Sequence, residues 1–271
     1  MSVVAGIVVY HPDWGRLSDN IEAVRPQVDR IIIFNNGTED VSSRFPDITV
    51  FDQNGANIGI ASALNAICHY AIQQGFDWIL TLDQDSVAPL GLMDGYVPYL
   101  TDSSIALLCP AIRDRNYGSM DYDVNNNSQG TDEVDACITS GSLLRLSAWE
   151  RIHGFWDELF IDMVDFDLCW SLREAGYRII RVNNQSMLHE IGKAKRVSLF
   201  GKDNVIYNHS PLRCYYMIRN TLVVGRKHHR QAQCRRWALK RIILINIYEK
   251  NRWVKDRMML KGIFDSFRFK V

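Results

Sequence analysis

Two groups of acids in this 271-residue sequence have the types and spacing for chemistry. The first follows Trp78-Ile79-Leu80-Thr81-Leu82, which reads as a buried strand and runs straight into Asp83-Gln84-Asp85-Ser86. Two carboxylates one residue apart repel each other unless a cation lies between them, and hard oxygen ligands suit Mg²⁺ or Mn²⁺. Asp and Ser are equally ordinary turn residues, so a solvated turn accounts for the tripeptide taken alone. The second group is Asp157, Glu158, Asp162, Asp165 and Asp167, set among Phe155, Trp156, Phe160 and Phe166. Acids embedded in aromatics are partly desolvated, which raises a carboxyl pKa and is one route to a general base. Capping a helix that starts near Val164 explains one or two of these acids but not all five. Beyond them, His189 is a lone histidine, more often structural than a ligand, although it can serve a transition metal. Arg213 and Arg219 are six residues apart on one helical stretch, so they need not share a face, and one of them could reach a phosphate.

The elements that must position these residues are legible in the first 85 positions. Residues 3–10 are a continuous apolar, β-branched run, the mark of a strand buried on both faces, and His11-Pro12-Asp13 stops it. A helix over residues 14–24 ends ahead of Pro26. Residues 30–34 form a second buried strand that stops at Asn35-Asn36-Gly37-Thr38, and a weaker strand over 48–51 leads into polar residues 52–57. Ile60, Ala63, Leu64, Ile67 and Ala71 recur at helical spacing, which predicts a helix over 58–74 closed by Gly75. Strands alternating with helices predict a largely parallel sheet with right-handed crossovers, whose ligands lie at the carboxyl edge. That edge presents Tyr10-His11-Pro12, Asn35-Asn36-Gly37, the loop of residues 54–59 and Asp83-Gln84-Asp85. Neither a G-x-G-x-x-G fingerprint nor a Walker loop is present, so bound phosphates would be held through a metal rather than a glycine cradle.

Farther along, residues 114–135 are rich in Asn, Asp, Ser and Gly and read as a long surface loop, either functional or a disordered insertion. Residues 136–145 read as two short strands around a glycine turn, 164–175 as a helix, 177–182 as a strand and 211–225 as a helix. From 235 to 271 basic residues alternate with Trp237, Ile242, Trp253, Met259, Phe264 and Phe267. Such a stretch fits an anionic membrane surface, a helical cap on the body or an oligomer interface; no nucleic-acid motif accompanies it.

Composition bounds the classes. Hydrophobic residues make up 47% and charged residues 23%, the balance of a globular chain. No apolar run reaches the roughly 18 residues of a spanning helix, and the N-terminus lacks a basic leader region, so a cytoplasmic protein is expected. The six cysteines have no C-x-x-C spacing and read as reduced, buried thiols rather than a disulfide frame or zinc site. The formal net charge of zero conceals +11 over residues 226–271 against −11 over residues 1–225, an acidic body with a basic tail.

Eight motifs carry a resemblance. They are Val8-Val9-Tyr10-His11-Pro12, Phe34-Asn35-Asn36-Gly37-Thr38, Asn57-Ile58-Gly59-Ile60-Ala61 with Ala63-Leu64-Asn65, and Leu82-Asp83-Gln84-Asp85-Ser86. Ser140-Gly141-Ser142, the run from Phe160 to Asp167, His189-Glu190-Ile191-Gly192, and the run from Arg213 to Asn220 follow in order. Together, over residues 3–225, they resemble the family-2 inverting glycosyltransferases of the GT-A fold, and the sub-pattern is similar to bacterial rhamnosyltransferases. Asn35 stands where many members carry Asp, and Val164 where many carry Glu; Val-Asp is what the rhamnosyltransferase-like members tend to show.

The resemblance implies an α/β, GT-A, Rossmann-like mixed sheet flanked by helices over residues 1–225, with a basic, amphipathic helical C-terminal extension over 226–271. It implies a nucleotide-sugar donor, dTDP-rhamnose, and a divalent metal, Mg²⁺ or Mn²⁺. Asp85 would bind the diphosphate through the metal, with Asp83 nearer the ribose or metal shell and His189 as third metal or diphosphate contact. Arg219 would offset diphosphate charge, while Tyr10, His11, Asn35, Asn36, Asp52 and Asn57 would line the nucleoside pocket. Asp165 would be the general base for an acceptor hydroxyl on a saccharide or lipid-linked saccharide. The expected location is the cytoplasm, peripheral at the inner face of the cell membrane, with no nucleic-acid partner. Another donor, UDP-galactofuranose or a UDP-hexose, and a catalytically inactive membrane-associated scaffold are the competing readings. A nucleotidyltransferase would show a Gly- and Arg/Lys-rich first loop, which is absent.

Overall fold

The apolar run at the N-terminus forms β1 (Val3–Val9), and its neighbours explain why it carries no polar face. In the computed structural model, which describes residues 1–52, 55–114, 118–119, 130–189, 195–199 and 201–271, β1 lies between two parallel partners. One is β2 (Arg30–Asn35) and the other β4 (Trp78–Asp83); β2 pairs in parallel with β3 (Thr49–Asp52). The two partners of β1 close its edges, and because both faces are buried as well, the strand is apolar on each. Helix α1 (Trp14–Val24) starts at Asp13, whose carboxylate accepts the Arg16 N–H at 3.1 Å. After the short α2 (Val41–Arg44), α3 (Ile60–Gln73) packs closely on the sheet. A Cβ at Gly6 of β1 would stand 3.1 Å from Ile67 Cγ2 of α3 and 2.9 Å from Ile79 Cδ1, so a side chain there would force the layers apart.

Next come α4 (Leu92–Tyr96), β5 (Ile105–Asp114), β6 (Gly118–Ser119), β7 (Thr131–Glu133), β8 (Ser142–Arg145), α5 (Leu146–Arg151), α6 (Val164–Glu174) and β9 (Arg178–His189). The sheet runs β3-β2-β1-β4-β8-β5-β9-β7, with β6 on β5. Strand β8 is antiparallel to both β4 and β5, β5 and β9 are parallel, and β7 closes the far edge antiparallel to β9. The first half is thus parallel, as alternation predicts, and the whole is the mixed sheet that the resemblance implies.

Two departures from the sequence reading have physical causes. Strand β9 continues past Val182 because a register shift opposite Pro110 and Ala111 of β5 takes up residues 183–185. Proline has no N–H for the ladder, and a bulge accommodates it. Only residues 142–145 of the stretch 136–145 form a strand. Gly141 (φ +78) turns the chain where a Cβ would meet Met187 Sδ at 2.5 Å. Of the long loop read at 114–135, residues 115–117 and 120–129 lie outside the described residues, and Thr131–Glu133 is the strand β7.

By their contacts, the residues divide into two units, Met1–Glu158 with Leu168–Glu190, and Leu159–Asp167 with Ile191–Val271. The second contains a hairpin, β10 (Lys195–Leu199) and β11 (Lys202–Ile206), and three helices, α7 (Pro211–Lys227), α8 (Gln231–Tyr248) and α9 (Arg252–Arg268). Cys214, Ile218, Ala238, Ile245 and Met259 form a common core of these helices. Helix α9 lies so near α7 that a Cβ at Gly262 would be 2.7 Å from the Tyr215 carbonyl. A buried ion pair, Lys255 to Glu249 at 2.7 Å, is completed by Asn208 Oδ1 at 2.8 Å. Within the second unit, α8 and α9 of the basic stretch therefore pack with α7. No described helix is long and apolar enough to cross a membrane, and none of the six cysteines is in a disulfide.

Candidate active site

Strand register builds the carboxyl edge of the first unit. Asp52 sits across from Asn35, Asn35 across from Val9, and Asp83 across from Val8. The candidate residues of four strand ends therefore form one row. Within it they divide by exposure. Tyr10, His11, Asp52 and Asn57 are exposed, whereas Asn35 and Asn36 are buried.

The two buried amides hold the edge together. Asn35 donates to the Glu39 carbonyl at 2.7 Å and accepts the Gly37 N–H at 3.0 Å, tying the turn after β2. Asn36 donates to the Gly59 carbonyl at 3.1 Å and accepts the Ile58 N–H at 3.2 Å, fixing the loop that starts α3. Gly59 (φ +86) occupies a conformation that favours glycine, and Asn57 caps it by accepting its N–H at 2.9 Å. His11 also takes a positive φ of 47, with Nδ1 2.5 Å from Glu39 Oε1. That hydrogen bond holds the Glu39 carboxyl below its ordinary range. Glu39 was not among the residues singled out by sequence, since nothing in its local pattern marks it.

The segment carrying Asp83 and Asp85 is equally well secured. Asn20, fully buried in α1, donates to the Asp83 carbonyl at 2.9 Å, and Ser140 Oγ accepts the Asp83 N–H at 3.1 Å. Tyr96 O–H donates to the Gly141 carbonyl at 2.8 Å, and the Gly141 N–H donates to the Thr81 carbonyl at 2.8 Å. This explains the Ser140-Gly141-Ser142 motif as a brace on the end of β4. Gln84, the residue between the two acids, accepts the Tyr10 N–H at 2.7 Å and donates to the Tyr10 carbonyl at 3.1 Å. One side-chain amide thus clamps the end of β1 to the acid pair.

Asp83 and Asp85 are both half-buried. Among the described residues no group of three or more His, Cys, Asp and Glu side chains could hold a metal ion. The side chain of His189 lies outside the described residues. Mg²⁺ is commonly held by one or two carboxylates plus substrate phosphates and water rather than by an all-protein cage. A pair of hard oxygen donors at an open sheet edge fits that kind of site, with the substrate completing the coordination.

In the second unit, the segment leading into α6 is strained. Phe160 (φ 63), Asp162 (φ 65) and Met163 (φ 66) are all left-handed without being glycine. Such conformations cost about 1–3 kcal/mol each and persist where the surroundings over-determine them. Helix α7 supplies those surroundings. The Asn220 amide donates to the carbonyls of Leu159 (2.7 Å), Ile161 (2.7 Å) and Asp162 (3.0 Å). Arg213 pairs with Asp162 at 3.1 Å, and Tyr216 stacks on Phe160 with ring centroids 4.9 Å apart. Arg219 is only 8% exposed; it donates to Asn220 Oδ1 at 2.8 Å and its guanidinium lies 4.8 Å from the Tyr216 ring centroid. The structure places Arg219 behind the loop, in the support of Asn220. The spacing of Arg213, Tyr216 and Asn220 on one helix was visible in the sequence, but their common target was not.

Four of the five acids now separate. Asp157 accepts from Asn65 at 2.8 Å within the first unit, which accounts for Asn65 in the third motif. Asp162 pairs with Arg213, and Asp167, 1% exposed, accepts from Lys227 Nζ and His228 Nε2, each at 2.8 Å. Asp165, second residue of α6, is half-buried and accepts the Phe166 N–H at 2.9 Å.

Comparison with known proteins gives the family and the fold. Residues 5–156 match the family described as Glycosyl transferase family 2. A dTDP-rhamnosyl transferase of Shigella flexneri, RfbF, is 27% identical over 243 residues, covering 84% of this chain and 81% of that one. Among solved structures, GalNAc-T7 with UDP, GalNAc and Mn²⁺ superposes with a TM-score of 0.63 at 12% identity. The match covers 83% of this chain and 48% of that one, so this chain spans about half of its length. A TarS fragment from S. aureus in complex with UDP-GlcNAc gives 0.60 at 10% identity, covering 99% and 81%. At such identities the two structures establish the GT-A fold.

Proposed function

Because the chain belongs to glycosyl transferase family 2 and is by that membership a glycosyltransferase, we propose that it moves L-rhamnose from dTDP-rhamnose to a hydroxyl of a saccharide or lipid-linked saccharide at the inner face of the membrane. The observation that carries the donor is the 27% identity with the Shigella dTDP-rhamnosyl transferase over most of both chains.

In this reading Tyr10, His11, Asp52 and Asn57 form the rim that meets the nucleoside, over a floor fixed by Asn35 and Asn36. Asp83 and Asp85 would hold Mg²⁺ or Mn²⁺, with His189 as a further candidate ligand. When bound, the cation offsets the charge that develops on the leaving diphosphate. Asp165 takes the proton of the acceptor hydroxyl as its oxygen bonds to the anomeric carbon. The bond from that carbon to the diphosphate oxygen breaks, dTDP leaves, and a single displacement inverts the centre. The buried partners of Arg219 support a positioning role for it rather than a diphosphate contact.

A thermal-shift screen of nucleotide sugars with and without Mn²⁺ tests the reading. Donor at about 100-fold over its Kd adds about 2.7 kcal/mol, and the expected result is the largest stabilisation by dTDP-rhamnose with metal. Asp85→Ala is expected to remove the metal-dependent part. Stabilisation by UDP-sugars alone replaces the donor, and none by any nucleotide sugar supports the inactive scaffold instead.

Gln84→Ala removes both hydrogen bonds to Tyr10. At about 0.5–1.5 kcal/mol for each, and with this edge partly solvated, the expected result is a donor KM raised about three- to tenfold with kcat little changed. Steady-state kinetics at fixed acceptor would show it, and an unchanged KM would remove the clamp from nucleoside binding.

A further inference from the structure

Helix α9 buries one face and leaves the opposite one apolar. Its packed side is Lys255, Met259, Gly262 and Ser266, and Gly262 allows the close approach to α7. Its outer side carries Trp253 (86% exposed), Leu260 (54%), Phe264 (65%) and Phe267 (72%). At 3.6 residues per turn these four fall within about 60° of one another. Three exposed cations, Arg257, Lys261 and Arg268, form a second row about 70° round the same helix. The only acids of α9, Asp256 and Asp265, are engaged by Asn246 at 2.7 Å and by Tyr215 at 2.9 Å and Lys261 at 2.6 Å.

We propose that this face docks on an anionic lipid bilayer, with Trp253, Leu260, Phe264 and Phe267 entering the headgroup boundary and the row of cations meeting the lipid phosphates. Aromatic residues seated in the interface beside basic ones are the arrangement that binds helices in the plane of a membrane. A symmetric contact with a second copy through this face fits less well, because it would bring together two stretches, residues 226–271, that each carry a net charge of +11. An anionic lipid surface supplies both an apolar layer and the opposite charge. The proposal rests on the membrane placement given above and is independent of the donor and acceptor assigned there.

The test uses the full chain and vesicles of phosphatidylcholine, alone or mixed in equal parts with phosphatidylglycerol. Co-sedimentation is expected with the mixed vesicles, weakening with salt, and not with phosphatidylcholine alone. The double variant F264S/F267S is expected to bind at least about tenfold more weakly, and so is R257Q/R268Q at low salt. Circular dichroism and transfer to a water-soluble acceptor, both unchanged, would show that the variants remain folded. Loss of vesicle binding with transfer retained also separates this proposal from the assigned reaction. Absence of wild-type binding to the mixed vesicles overturns it. So does a dimer in sedimentation equilibrium that F264S/F267S returns to monomer without any effect of lipid.

Discussion

Asp165→Asn is expected to lower transfer by about 10²–10⁴-fold, the usual contribution of a positioned general base, while donor binding stays near wild type. The substitution is nearly isosteric. An Asn carbonyl still accepts the Phe166 N–H now held at 2.9 Å, and Asn is tolerated in the first turn of a helix. What disappears is the ability to take a proton. Two other acids of the cluster are held by cations, Asp162 by Arg213 and Asp167 by Lys227 with His228. Single-turnover kinetics alongside calorimetric donor titration would separate the two steps. Comparable turnover by mutant and wild type would sink the assignment of the base.

Asn220→Ala is the second large effect expected. It takes a donor from the carbonyls of Leu159, Ile161 and Asp162, of which Leu159 keeps Arg219 Nη2 at 3.4 Å, and it takes from Arg219 the Asn220 acceptor. An abandoned buried polar group costs about 1–3 kcal/mol, and here the loss falls on a segment with three left-handed non-glycine residues. These penalties overlap rather than add, so a loss of about 3–5 kcal/mol is expected. By contrast, Arg213 is 41% exposed in its pair with Asp162, and Arg213→Ala is expected to cost no more than about 1 kcal/mol. If Asn220 positions Asp165, kcat falls for N220A while donor KM holds, even at a temperature where the variant is fully folded. Equal drops in the two variants would assign the loop's order to the ion pair instead. Urea denaturation and steady-state kinetics on both proteins give the comparison.

The parts of the fold that the sequence made legible are those where burial writes a period. Strands β1, β2 and β4 are continuous apolar runs because helices or strands cover them on every side, and α3 repeats at helical spacing between two glycine-marked ends. Strand β9 was cut short at Val182 because its extra residues oppose Pro110, a feature of pairing that neither strand shows alone. The site divides in the same way. Asp83, Asp85 and Asp165 stood out by type and setting, and the motifs containing them resembled the family that the comparisons identify. Asn35, Asn36 and Arg219 were also recognised by motif, yet their side chains face inward toward Glu39, Gly59 and Asn220. Motif membership does not tell a residue that touches a ligand from one that holds the chain in place. Nor can spacing sort five neighbouring acids when the cations that claim two of them, Asp162 and Asp167, lie 51 to 61 residues away.

The grip of Gln84 on residue 10 is made entirely through the backbone, one bond to its N–H and one to its carbonyl. The Tyr10 side chain takes no part in it. Under the proposed function, the residues assigned to the nucleoside rim can therefore mutate without loosening the acid pair, and nucleotide preference would become an exchangeable trait beside a constant pair of acids. A library randomised at Tyr10, and with Gly or Asn admitted at the left-handed His11, is the place to begin retuning the donor base.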